Sequence, residues 1–351
     1  MLKKKIIVAL QFVFFLGLGI FLVWWMARGI DENGWKQIRE SLRHAKYWLF
    51  APVLLMMLLS HYVRALRWKI LMEPLGHKPN SFLVFNAVMV GYFANLLFPR
   101  LGEVLKCTIL ARYEKVGPDK LIGTIVAERA VDVVTLLVIF FLTIVSQIDV
   151  VGDYSMSLLR KAFSNGEQGF SVTKTLIITG ILLAVLAAFY FVLTRLKHIG
   201  FIQKIRNILK GILSGVVSVR YMKKRGLFIF YSVLIWLLYL LSARIGFYAL
   251  EEVSHLGIKP ALSIISFGSI GMIVTQGGIG AYQYAVQETL SLYGISEIIG
   301  FIYGWVLWLA QTAVVLVGGV ICAAILPFMH KKTNEEILLE EKETLSQQIN
   351  T

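Results

Sequence analysis

The sequence predicts an all-α membrane protein, a polytopic helical bundle with about six full spans and two re-entrant helical hairpins. Three observations support this prediction: the hydrophobic composition, the long apolar stretches, and two further stretches that are too interrupted to cross the membrane. The chain has 351 residues, of which 57% are hydrophobic and 16% charged, and its mean hydropathy is +0.72. A soluble globule cannot hide this much apolar surface in its core, so most of the surface must face lipid.

Six apolar stretches are predicted to cross a hydrocarbon core of about 30 Å. They are Ile6–Ala27, Tyr47–Val63, Leu121–Ser146, Thr175–Thr194, Leu227–Leu250 and Ile298–Phe328. The first follows three lysines and is too long for the core of a signal peptide, so we predict an uncleaved anchor. The polar, Glu-rich residues 331–351 are predicted as a cytoplasmic tail that follows a membrane domain over residues 1–330.

Two further stretches are predicted to enter and leave on the same side. Ser81–Phe98 contains Asn and Gly residues and stops at Pro99, while Ala261–Gln276 would be only about 24 Å long as a helix. Gln276-Gly277-Gly278-Ile279-Gly280 then breaks the second stretch, and irregular backbone at membrane depth is tolerated only inside protein or along a cavity. Two such elements that enter from opposite faces are typical of transporters, whose half-helix ends meet near a central site.

The distribution of basic residues supports this topology. The segment Arg195–Arg225 carries nine basic residues and no acid, and the two re-entrant stretches place it in the cytoplasm together with both termini. The loop Arg28–Lys46, with five basic residues and three acids, would then lie outside as an exception.

The same composition limits the classes of function. A net charge of +14 suits nucleic acid, but the basic residues lie in short loops between apolar runs, so no nucleic-acid partner is expected. Cys107 and Cys322 are far apart and lack ligand spacing, so we expect neither a disulfide nor a metal. The chain contains no Gly-Lys dipeptide, no HExxH and no GxSxG, which argues against ATP-driven pumping, metalloprotease or serine-hydrolase chemistry and against a cofactor.

Charged residues open one of the predicted spans. Glu128-Arg129-Ala130-Val131-Asp132 lies near the start of the otherwise apolar stretch Leu121–Ser146. Glu128 and Asp132 share a helix face, and Arg129 is three residues from Asp132, so it can bridge to that carboxylate. Ionisable residues are costly in hydrocarbon, so the cluster indicates a polar interior that handles a substrate. The alternative is a structural ion pair between helices.

Three other groups are candidate substrate contacts, each with a structural alternative. Arg64 and Arg67 share one helix face, where they predict either a headgroup contact or a cytoplasmic anchor, and nearby His61 is predicted to be a satisfied interior histidine. The amide, proline, arginine and carboxylate of the block Asn95 to Glu103 predict either a site or an ordinary turn. The break at Gly277, Gly278 and Gly280 with Gln283 predicts either a cavity-lining turn or close helix packing. The predicted substrate-binding residues are Arg64, Arg67, Asn95, Arg100, Glu103, Glu128, Arg129, Asp132, Gly277, Gly278, Gly280 and Gln283.

These motifs, taken in order, resemble a known family. The four motifs are Arg64-x-x-Arg67-Trp68, Gly91-Tyr92-x-x-Asn95 to Pro99-Arg100-x-Gly102-Glu103, Glu128-Arg129-x-x-Asp132 and Gly277-Gly278-x-Gly280. They are similar to blocks of the lysylphosphatidylglycerol synthase transmembrane region family, also called flippase-like proteins. The resemblance covers Ile6–Phe328 and implies movement of lipids across the bilayer. The family usually shows a proline and a glutamate where this chain has Gln276 and Gln283, which leaves the charge of that site open. Since only about 20 residues follow, we do not expect the aminoacyl transfer that some members perform in a soluble domain.

The sequence therefore predicts a lipid translocase of the cytoplasmic membrane whose substrate is a phospholipid or another anionic lipid. Arginine suits a phosphate-bearing headgroup, and the re-entrant hairpins would form the gates. Two alternatives stay open: a lipid-modifying enzyme that uses Glu103, Glu128, Asp132 and His61 as acids and bases, and a membrane partner of a soluble glycosyl or acyl transferase. The sequence also leaves a homo-oligomer open.

Overall fold

The computed structural model describes residues 2–98, 101–114, 117–147, 219–220 and 222–349. It contains ten main helices and no strand within these ranges, which confirms the predicted all-α membrane bundle. The helices are α1 (Leu2–Arg28), α2 (Glu32–His44), α3 (Phe50–Met72), α4 (Ser81–Leu97), α5 (Leu101–Glu114), α6 (Pro118–Ser146), α7 (Arg225–Phe247), α8 (Ile258–Val274), α9 (Ala281–Ser291) and α10 (Glu297–Ile349).

Four segments are long and apolar enough to cross a membrane. They are Tyr47–Leu75 around α3, Lys120–Ser146 in α6, Arg225–Phe247 in α7 and Glu297–Met329 in α10. The apolar part of α1 with α2 is a fifth candidate, bent by 104° between the two helices. These correspond to five of the six predicted spans, and the sixth, Thr175–Thr194, lies outside the described residues, as does most of the basic segment Arg195–Arg225.

The segment between the first two spans is a helix rather than the predicted loop. Asp31 begins α2, because its Oδ1 accepts a hydrogen bond from Gly34 N at 2.7 Å. One face of α2 buries Gly34, Ile38 and Ser41, and the Ser41 hydroxyl donates to Glu252. Lys36, Arg39 and Arg43 therefore lie on the exposed face of an amphipathic helix, which hydropathy alone did not show.

The two broken stretches form helical hairpins. In the first, α4 packs against α5 so closely that a side chain on Gly102 would overlap the carbonyl oxygen of Gly91. In the second, Gly268 and Gly271 let α8 approach the start of α9. The leading helices α4 and α8 have 17 residues each, about 26 Å, which is short of a hydrocarbon core of about 30 Å. Helix α5 was not predicted, because its residues were assigned to a cytoplasmic loop.

The same order of elements occurs twice in the chain: a membrane span, then a 3-10 turn, then a helical hairpin. Helices α3 and α7 both have 23 residues, each is followed by a 3-10 turn, and α4 and α8 match in length. Leu75-Gly76-His77-Lys78-Pro79 before α4 also resembles Leu256-Gly257-Ile258-Lys259-Pro260 at the start of α8. The two copies point to an internal repeat.

Helices α3 and α7 are antiparallel. Lys224 Nζ, before α7, lies 2.5 Å from Glu73 Oε1 after α3, while Lys46 N donates to Ala249 O at the other end at 2.9 Å. Because each hairpin follows the end of one of these helices, the hairpins begin at opposite ends of the bundle. This is the arrangement that the sequence predicted for its two re-entrant elements.

The chain divides into two units. The larger consists of Met1–Ile125 with Met222–Thr351, and the smaller of Val126–Tyr221. In the larger unit, α10 packs its glycines against both hairpins: Gly300 and Gly304 lie against α9, and Gly318 against Met89 of α4. Helix α10 continues through Pro327 to Ile349, so the predicted boundary at residue 330 falls inside a helix. The separation of a tail at that point stays a prediction.

Gly102→Ala should destabilise the protein by about 1–3 kcal/mol, because the new methyl group overlaps the backbone of α4. Gly123→Ala is the matched control, since a Cβ there meets no atom within 4 Å and alanine favours helix. Thermal unfolding in detergent measures both. Equal melting of the two variants would contradict the close packing of the first hairpin.

Candidate functional site

The end of α3 carries a buried basic face. The helix runs to Met72, nine residues past the predicted end of the span, so Arg64 and Arg67 lie inside it. Arg64 is 8% exposed and Arg67 is 0% exposed. A cytoplasmic anchor would reach water with its guanidinium group. The geometry therefore favours the alternative in which these arginines face the interior.

Neutral groups of α7 contact both guanidinium groups. Arg64 Nη2 donates to the Tyr239 hydroxyl at 3.4 Å, and Arg67 Nη1 donates to Ser232 Oγ at 3.3 Å. The Arg67 guanidinium carbon also lies 5.7 Å from the centroid of the Phe228 ring, within the range of a cation–π interaction. These contacts fix the orientation of the two cations.

Lys106 of α5 is a third buried cation, which the sequence reasoning placed in a loop. It is 2% exposed, and its Nζ lies 4.5 Å from the centroid of the Trp68 ring. Trp68 is fixed in turn, because its Nε1 donates to Thr124 Oγ1 at 2.8 Å. Glu103, three residues before Lys106 on the same helix, is half-buried. The three-residue spacing of Glu103 and Lys106 was the available signal that they share a helix face.

The buried charge is mainly positive. In the described part of the larger unit, the buried charged side chains are Arg64, Arg67 and Lys106, and none is an acid. The smaller unit contributes Glu128, which is 0% exposed.

Towards the middle of α3, the buried face continues with His61. This residue is about 17 Å from either end of the helix at about 1.5 Å per residue. Its ring centroid lies 5.0 Å from that of Tyr92 on α4. Neither ring nitrogen has a hydrogen-bond partner among the described residues, so the structure does not show the satisfied histidine that was expected. His61 and Tyr92 extend the polar face from the arginines toward α4.

The tips of the two hairpins meet. Asn95, one turn beyond Tyr92, accepts a hydrogen bond on Oδ1 from Gly102 N at 2.7 Å and so holds the start of α5. Its backbone oxygen accepts a hydrogen bond from Gln276 Nε2, at the tip of the second hairpin, at 2.9 Å. Pro99 and Arg100 lie outside the described residues. Amide groups therefore make the contact between the two tips.

Positive φ angles shape the second tip. Gly277, Gly278 and Gly280 have φ of 64°, 75° and 77°, values that favour glycine. Gly280 also packs tightly, because a side chain there would overlap the carbonyl oxygen of Gly19 on α1. The break is therefore both an irregular turn and a close contact between helices.

Two hydrogen bonds fix this tip. Trp308 Nε1 of α10 donates to the Gly277 carbonyl at 2.7 Å. Gln283 Oε1 accepts from Gly280 N at 2.8 Å, which satisfies a donor at the start of α9. The tip is thus held by α1, α9 and α10 together.

The charged cluster of the smaller unit forms its predicted internal pair. Arg129 Nη1 lies 3.9 Å from Asp132 Oδ2, and the two side chains are 41% and 16% exposed. An ion pair of this length with one exposed partner contributes little stability. The structure thus places Glu128 in the interior of the protein and leaves Arg129 accessible.

The described residues show no metal centre. No group of three His, Cys, Asp or Glu side chains in these ranges is placed to hold an ion. Cys107 and Cys322 are both buried.

Comparisons with known proteins agree with this architecture. The family described as the lysylphosphatidylglycerol synthase TM region matches residues 6–319. The chain is also similar to the UPF0104 membrane protein MJ1595 of Methanocaldococcus jannaschii, with 26% identity over 142 residues, which are 40% of this chain and 38% of that protein. The match thus spans about two fifths of the length of this curated relative. No solved structure matches the chain.

Gly280→Ala should destabilise the protein in detergent by more than Gly294→Ala. Both glycines have φ of 77°, so each alanine carries a similar strain of about 1–2 kcal/mol. Only the alanine at position 280 also overlaps α1, because a Cβ on Gly294 would meet no atom within 4 Å. Equal losses in thermal unfolding would show that the contact between Gly280 and Gly19 contributes nothing.

Proposed function

The chain belongs to the lysylphosphatidylglycerol synthase TM region family, and from this premise we propose that it moves a phosphate-bearing lipid across the cytoplasmic membrane. The observation that carries the proposal is the buried basic face formed by Arg64, Arg67 and Lys106. Its ligand would be the phosphate of a phospholipid or another anionic lipid.

The chemistry of these cations suits phosphate. A guanidinium fork matches phosphate oxygens with two parallel hydrogen bonds, and the low dielectric of the interior strengthens such charge-assisted contacts. Lys106 adds a point charge on the neighbouring α5.

A polar route leads from this face to the centre. Arg67, Arg64 and His61 follow one another by single turns of α3, and Tyr92 continues the route onto α4, where Asn95 lies one turn further on. The Asn95–Gln276 contact then connects the first hairpin to the second, which begins at the opposite end of the bundle. The headgroup would follow these side chains while its acyl chains stay in lipid.

The hairpin tips would act as the gate. The Asn95–Gln276 hydrogen bond joins them, and the N-terminal ends of α5 and α9 both lie at the tips. Those helix ends carry partial positive charge, which favours the passing phosphate. In the smaller unit, accessible Arg129 is proposed as a further headgroup contact, with Glu128 and Asp132 as its balancing charges.

The proposed orientation follows the positive-inside rule. The ends of the bundle at Glu73 and Lys224 would face the cytoplasm, as would both termini, and α2 would lie outside. Lys224 is followed directly by the start of α7, so the basic end of that helix supports this direction.

Two other functions would give different results in the same assay. A lipid-modifying enzyme would change the chemical structure of the lipid. A membrane partner of a glycosyl or acyl transferase would neither transfer nor modify the lipid without its soluble partner. The purified protein in liposomes with labelled lipids, scored for transfer and for modification, separates the three. Transfer without modification is the expected result.

Replacing Arg67 or Lys106 by Met should lower transfer of an anionic phospholipid at least about tenfold, the equivalent of about 1.4 kcal/mol in the bound state. Methionine keeps the apolar stem and removes the charge, and replacing buried charge with apolar groups of similar volume is often tolerated. Arg39→Met is the matched control, because Arg39 lies on the exposed face of α2. Transfer at the wild-type rate by Arg67→Met and Lys106→Met, with Arg39→Met also active, would contradict the role of the buried face.

An impermeant thiol reagent should label Lys36→Cys on α2 in intact cells, and Lys78→Cys between α3 and α4 only after permeabilisation. Both lysines are exposed, and the native cysteines are buried, so background labelling is low. The reverse pattern would invert the proposed orientation.

A further inference from the structure

The second hairpin differs from the first in the chemistry of its buried polar groups. In the first hairpin, Lys106 brings a charge into the interior. In residues 258–291, all of which the structure describes, the buried polar side chains are hydroxyls and amides: Ser263, Ser266, Thr275, Gln283, Gln287 and Thr289. A headgroup that has passed the cations would therefore meet neutral hydrogen-bonding groups at the tip of the second hairpin, where Gln283 lies.

Gln283 has a buried hydrogen-bond donor that no described residue accepts from. Its Oε1 is held by Gly280 N at 2.8 Å, so the orientation of the amide is fixed. Its Nε2 is buried in a residue that is 0% exposed and finds no hydrogen-bond partner in the described ranges. A buried donor without a partner costs about 1–3 kcal/mol, which a ligand with an acceptor oxygen would recover.

The surrounding tip does not use this donor. Gln276 donates to the backbone of Asn95, and the Asn95 Oδ1 accepts from Gly102 N. At this tip, Gln283 contributes a buried amide donor that has no partner among the described residues. It lies two residues into α9, next to the glycine turn.

We infer that Gln283 selects lipids whose headgroup, beyond the phosphate, is uncharged and carries hydroxyl groups. The Gln283 amide would donate to a headgroup hydroxyl oxygen at the second tip, after the phosphate has passed the cations of the first half. This inference rests on the proposed lipid transfer and names the substrate class for it.

The same geometry discriminates against headgroups with an amine. An ammonium group has donors and no acceptor, so it cannot accept from the Gln283 amide. No buried carboxylate lies in the second hairpin, residues 258–291, to compensate the desolvation of such a cation.

The test compares two lipids that share a phosphate and a glycerol. Labelled phosphatidylglycerol and lysyl-phosphatidylglycerol are supplied at equal amounts to liposomes containing wild type or Gln283→Glu. The glutamate keeps an acceptor oxygen for Gly280 N, so the start of α9 retains its cap. Gln287→Glu is the matched control, because it places the same charge one turn further along α9.

Wild type should transfer phosphatidylglycerol at least about tenfold faster than the lysylated lipid. Gln283→Glu should shift the ratio of these two transfer rates at least about tenfold toward the lysylated lipid, the equivalent of about 1.4 kcal/mol. Gln287→Glu should leave the ratio within about twofold, the equivalent of about 0.4 kcal/mol. Equal transfer of both lipids by wild type, an unchanged ratio in Gln283→Glu, or an equal shift in Gln287→Glu would overturn this inference alone. Transfer of neither lipid above protein-free liposomes would overturn the transport proposal, and this inference with it.

Discussion

Burial of positive charge in an apolar bundle is the constraint on which the rest of the structure depends. Arg64, Arg67 and Lys106 are buried in helices of this bundle, and each buried ion costs several kcal/mol before compensation. The aromatic rings and hydroxyls around them help to orient the cations. In the proposed function, these oriented cations bind the phosphate of a lipid headgroup.

The paired hairpins connect the two ends of the bundle. The antiparallel arrangement of α3 and α7 makes the hairpins begin at opposite ends, and the tight glycine contacts within each hairpin let its two helices fit inside the bundle. The tips meet through the Asn95–Gln276 hydrogen bond, which joins residues 181 positions apart in the sequence. Two similar elements of opposite direction around one central point are the architecture from which alternating access is built in many transporters.

Much of this fold could be predicted from the sequence, because hydropathy reports long spans and glycine, asparagine and proline mark where a span is interrupted. Helix α2 was missed because its polar face dominates its average hydropathy, and α5 because its lysine and arginine were interpreted as cytoplasmic anchors. Lys106 shows why: the positive-inside rule assigns a basic residue near a span to water, whereas its burial against Trp68 depends on tertiary packing. The Asn95–Gln276 contact and the unused amide of Gln283 were likewise beyond sequence reasoning, since both depend on distant elements meeting.

A structure of the protein in nanodiscs that contain phosphatidylglycerol would test the central claim most directly. The account predicts a lipid phosphate inside the bundle, within about 3 Å of the guanidinium nitrogens of Arg64 or Arg67 and close to Lys106. Lipid headgroups confined to the outer surface, with these three side chains contacting protein groups alone, would contradict it.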